Sequence, residues 1–172
     1  MASIKAAVTE VDGVTDVDVT YTQGKFGSSS PEPSLSAGIT ATPAVTHDQL
    51  LAMVRTFGAA RAATSQAQVD TELTVTVPIV SDAPMSKRTF RQDSFTVTDA
   101  DVVDAVARWF NAIARFGPYT EARILDTGDY GLYMLVALPP GSSAAEVAAT
   151  KSSLATLLPG HPNDYAQVTV QR

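Results

Sequence analysis

Leu-Ser-Ala-Gly-Ile-Thr-Ala-Thr-Pro-Ala-Val-Thr-His-Asp-Gln-Leu-Leu-Ala-Met-Val, residues 35–54, and Leu-Tyr-Met-Leu-Val-Ala-Leu-Pro-Pro-Gly-Ser-Ser-Ala-Ala-Glu-Val-Ala-Ala-Thr-Lys, residues 132–151, follow one plan. Each reads as a strand, then a proline that cannot join a central ladder, then a helix start. Thr46 with Gln49 and Ser143 with Glu146 are capping-box patterns, in which hydroxyl and carboxamide or carboxylate satisfy each other's backbone donors. Thr46 to Ser143, Pro43 to Pro140 and Leu50 to Val147 all differ by 97 positions. The spacing points to an internal repeat.

The flanks extend it. Residues 69–77 and 165–171 both alternate apolar and polar side chains, the period of a half-buried strand, and each follows its helix. Before each pair lies another strand pattern, at 15–21 with Val17, Val19 and Tyr21 on one face, and at 120–125. Thr98 is a cap for a further helix. Asp99, Asp101 and Asp104 suit its positive N-terminal end, Val102, Val106, Trp109, Ile113 and Phe116 form one stripe, and Gly117-Pro118 stops it. Aligning Ile113 with Val8 makes Met1 equivalent to Val106, so the first unit begins inside its helix. A leading strand is expected at 95–97, before the cap.

Two tandem helix–strand–strand–helix–strand units follow, an α+β chain divided as 1–80, a linker or edge strand at 81–94, and 95–172. The plan resembles the ferredoxin-like βαββαβ fold, which implies helices packed on one face of an antiparallel sheet. Val-Asp-Gly-Val-Thr-Asp-Val-Asp-Val, residues 11–19, is similar to the helix-to-strand turn of heavy-metal-associated domains, but that family's metal-binding Cys pair is absent.

The 172 residues carry 45% hydrophobic and 17% charged side chains, which excludes disorder. A formal charge of −6, from 12 basic and 18 acidic residues, argues against a general nucleic-acid surface. With no cysteine, disulfides, Cys-ligated zinc, iron–sulfur clusters and thiol catalysis are excluded. Low charge, abundant Ser and Thr and the lack of Cys suit an exported bacterial domain. Cytosolic domains share these traits. The missing leading strand favours the first setting, with an upstream export or lipidation segment providing peripheral membrane attachment.

No Gly-x-Ser-x-Gly, P-loop or Gly-x-Gly-x-x-Gly occurs. His47 follows a helix cap and His161 lies in a loop; they are 114 positions apart rather than 97, so the repeat does not make them equivalent. The aspartates at 99, 101 and 104 fit helix-dipole complementation, since no glycine supplies a calcium-loop turn. No catalytic, cofactor or metal residue is nominated. One basic cluster, Lys87, Arg88 and Arg91 around Phe90, reads either as solvated charge on a linker or edge strand, or as a docking patch for an acidic partner or headgroups. The expected function is a non-catalytic, exported or envelope-associated module acting by protein contact. The alternatives are a cytosolic small-ligand sensor and a small enzyme using a cleft between the units.

Overall fold

The alternating stretches do become strands in the computed structural model, which describes residues 2–23, 32–64, 69–79, 87–93, 95–117, 119–125 and 131–171. The Gly/Ser/Pro-rich insert at 23–34 and the turn at 126–131 lie largely outside them. In chain order the elements are α1 (Ala2–Thr9), β1 (Val14–Thr22), β2 (Ser34–Ala41), α2 (His47–Ala62), β3 (Asp70–Pro78), β4 (Lys87–Gln92), α3 (Asp99–Phe116), β5 (Thr120–Ile124), β6 (Leu132–Leu138), α4 (Ala144–Ala155) and β7 (Tyr165–Val170). The seven strands make one mixed sheet whose spatial order is the chain order.

Two expectations are corrected here. Pairs β2/β3, β4/β5 and β6/β7 are parallel, while β1/β2, β3/β4 and β5/β6 are antiparallel. The sheet is therefore not the antiparallel one that a ferredoxin-like plan implies. The strand preceding α3 is β4, at Lys87–Gln92, whereas residues 95–97 form bends. β4 pairs with β3 on one side and β5 on the other, so the stretch read as linker or edge strand contains an interior strand. The strands before and after it thus lie in one continuous sheet.

Strand alternation divides the sheet into two faces. Leu35, Ala37, Ile39, Leu73, Val75, Val77, Phe90, Ala122, Ile124, Met134 and Val136 are buried together with Leu50, Met53, Phe57, Trp109 and Leu154 from the helices. Their neighbours along each strand, such as Thr74, Thr76, Arg91, Glu121 and Gln167, point the other way. All four helices of the described residues thus share one face. Links between helices agree: Arg55 on α2 bonds Asp99 on α3, and Arg115 on α3 bonds Ser153 on α4.

A topological consequence follows. β2/β3 and β4/β5 run in opposite directions, yet both crossovers step the same way across the sheet with helices on the same face. Their hands must then be opposite, so one is left-handed, against the right-handed form found in about 98% of such connections.

Local chemistry sets the helix ends. Thr46, Thr98 and Ser143 each close a capping box, with Gln49, Asp101 and Glu146 as the returning groups. Gly117 ends α3 with φ of 86°, a backbone that a side chain would strain. α1 has 8 residues against 18 for α3, and its buried Ile4 stands where alignment puts Trp109.

Candidate functional site

β4 carries the basic cluster, and its pleat takes the cluster apart. Phe90 is fully buried, with its ring 5.7 Å from that of Trp109. It is core and not a contact residue. Arg88 lies on the helix side, where Nη2 donates to the Pro43 carbonyl at 2.7 Å; partial burial lowers its pKa. Arg91 points to the opposite face and pairs with Glu72. Lys87 opposes Pro78 in the ladder. Arg88 and Arg91 therefore lie on opposite faces of the sheet, because positions an odd number apart along a strand face opposite ways.

The face that no described helix covers has its own organisation. One cross-strand row runs Asp18, Gly38, Thr74, Arg91, Arg123, Tyr133, Tyr165 through all seven strands. The next runs Asp16, Thr40, Thr76, Thr89, Glu121, Leu135, Gln167. Two ion pairs, Arg91–Glu72 and Arg123–Asp93, tie neighbouring strands. Burial raises the Asp93 carboxyl pKa, opposed by its hydrogen bond to Arg123. Tyr133 and Tyr165 stack at 5.8 Å and 8°, and the Tyr133 hydroxyl donates to Gln167 Oε1 at 2.6 Å. Burial, then Glu121, raises that hydroxyl's pKa, keeping it a neutral donor. The face offers aromatic surface at the β7 end, guanidinium–carboxylate pairs at the centre and carboxylates at the β1 end.

Sequence reasoning missed Tyr133, Arg123 and Tyr165 as one surface. Alternation identifies the outward positions of each strand, but only register brings them into one row.

The other candidates are occupied locally. Asp99 receives two bonds from Arg55, at 2.7 and 2.5 Å, Asp101 completes its cap, and Asp104 pairs with Arg108 at 2.6 Å. Asp12 accepts from Gln49 at 2.7 Å. His47 Nδ1 is 3.0 Å from Asp48 and its ring edge meets Phe110, whereas the His161 backbone N–H donates to Asp164 in the loop after α4. Among the described residues no three His, Cys, Asp or Glu side chains gather to hold a metal ion.

A cleft of about 270 Å³ lies where α2 meets the start of α3, lined by Val54, Gly58, Phe95 and Val102 with Arg55 and Arg61. Arg61 lies 4.8 Å over the Phe95 ring and donates to Thr71 Oγ1 at 2.8 Å; burial lowers its pKa. No described helix is long and apolar enough to cross a membrane. Comparison with known proteins yields no match to a family model, to a curated protein or to a solved structure.

Proposed function

We propose that this chain is a non-catalytic binding module that works by protein contact, with the uncovered sheet face as its contact surface. One observation carries the reading: all the described helices lie on one side, and the other is a continuous seven-stranded face of paired charges and stacked tyrosines that none of them covers. Tyr and Arg are enriched at interfaces because they combine apolar area with directed donors. The exported or envelope-associated bacterial setting rests on composition: low charge and no cysteine. The two halves are read as copies of one unit, supported by the repeated order α–β–β–α–β with antiparallel then parallel pairing in each.

The test is photo-crosslinking in native extract from benzoylphenylalanine placed at Thr89 or Leu135 on the open face, or at Ala148 on α4. Adducts with one protein from the open-face positions, lost on Arg91→Glu with Arg123→Glu, are expected. Adducts from Ala148 alone would overturn the assignment.

A second reading, small-ligand sensing, is favoured by the cleft between the halves. There Gly58→Leu, whose Cβ would meet nothing within 4 Å, should abolish any ligand-induced rise in melting temperature.

A further inference from the structure

We propose that two copies of this chain join through the outer edges of β7, antiparallel, extending the sheet across a two-fold axis. Within the molecule, β3 stands as β7 does: it follows a crossover helix and is parallel to the strand before that helix. The outer edge of β3 takes an antiparallel strand, β4, over Leu73–Pro78. The outer edge of β7 has no described partner. The fold thus contains its own example of what such an edge accepts.

Exposure and charge point to the same edge. Tyr165 at 52% and Val170 at 37% are the exposed large hydrophobics among the described residues, and both lie on β7. Residues 165–171, Tyr-Ala-Gln-Val-Thr-Val-Gln, contain no charge, proline or glycine. Charge, proline and a register shift, three of the usual guards against edge pairing, are missing from this strand. β1, at the opposite edge, carries Asp16 and Asp18 and a register shift between Val14 and Asp16. Two chains of charge −6 repel each other. They can approach along a neutral strand, and much less readily along an acidic one.

Pleat parity restricts the register. Opposed residues must face the same way, so the two-fold must pass through a residue position. Centred on Val168, it sets Ala166 against Val170 of the second copy and Gln167 against its Thr169, covering the exposed valine. Centred on Gln167, it would leave Val170 uncovered. α4 packs over β7 and exposes Ala145, Ala148 and Ala149, small residues that let the two α4 helices approach. An edge of six residues is short, so the contact belongs to the smaller interface class, and the dimer should depend on concentration.

Sedimentation of the full chain should show a monomer of 18.1 kDa giving way to a species of twice that mass as concentration rises. Val170→Lys with Tyr165→Lys, at exposed positions, should abolish the larger species without altering the circular dichroism. Asp16→Asn with Asp18→Asn, which lowers the negative charge of each chain, should not abolish it. Because the chain has no cysteine, Val168→Cys should form a disulfide-linked dimer on mild oxidation, and Thr20→Cys on β1 should not. A monomer at every concentration to ~1 mM would overturn the proposal, as would a dimer indifferent to the β7 lysines. Open-ended polymers, the product of β7 meeting β1, would also overturn it.

Discussion

Trp109→Ala should remove a large part of the chain's stability. The Trp109 side chain is fully buried, its ring packs 5.7 Å from Phe90 and 5.5 Å from Phe110, and Nε1 donates to the Thr120 carbonyl at 3.2 Å. A buried Trp removes about 150–250 Å² from water, or about 4–6 kcal/mol at ~25 cal/mol per Å². Partial relaxation around the cavity brings the expected loss to about 3–5 kcal/mol. For a chain of this length each kcal/mol shifts Tm by about 2–4 °C, so the fall should be about 6–20 °C. Urea unfolding followed by far-UV circular dichroism is the assay, since the substitution removes the single tryptophan. Trp109→Phe separates the terms, because it keeps a ring in the site but takes the donor from the Thr120 carbonyl, at about 1–3 kcal/mol. A loss under ~1 kcal/mol for Trp109→Ala would mean that the α3 stripe does not face the sheet.

Asp93 is 17% exposed at its side chain, and burial raises its folded pKa. Its contribution is therefore present below the ordinary value of 3.8 and lost as pH rises through the raised folded value. Stability of the native chain relative to Asp93→Asn should fall as pH rises from about 3.8; a rise would show that the Arg123 pair outweighs burial. Glycines should separate by space. A Cβ at Gly131 would lie 2.7 Å from Asn163 Cβ and 2.9 Å from its carbonyl oxygen, so Gly131→Ala should cost about 1–3 kcal/mol in urea unfolding. Gly38 meets nothing within 4 Å on its open-face row, so Gly38→Thr should be neutral or stabilising, and a clear loss there would mean the face is covered.

Local chemistry was legible in the sequence where one residue answers its near neighbours. The Thr46, Thr98 and Ser143 caps and the inward alternation of Leu73, Val75 and Val77 depend on contacts a few positions apart or on a simple period. β4 was not legible as an interior strand. Lys87, Arg88 and Arg91 make three of its six positions basic, and its helix side carries Arg88 and Gln92 beside Phe90, so the hydrophobic alternation is hidden. Strand order was out of reach for a different reason. Antiparallel β5/β6 and parallel β6/β7 pairings use the same period-two patterns, and nothing in that period says which neighbour a strand takes. The Arg91–Arg123–Tyr133–Tyr165 row inherits the difficulty, because its members come from four strands and meet only through register.

The continuous sheet in chain order underlies every functional inference, and one distance tests it. Asp18 and Tyr165 end the same row, six strand spacings apart. At ~4.8 Å per spacing their backbones should be about 29 Å apart, less a little for twist. Spin labels at Asp18→Cys and Tyr165→Cys, diluted with unlabelled chain, should give one narrow electron–electron distance distribution near that value. A broad distribution, or a peak below ~20 Å, would contradict a single seven-stranded sheet in this order.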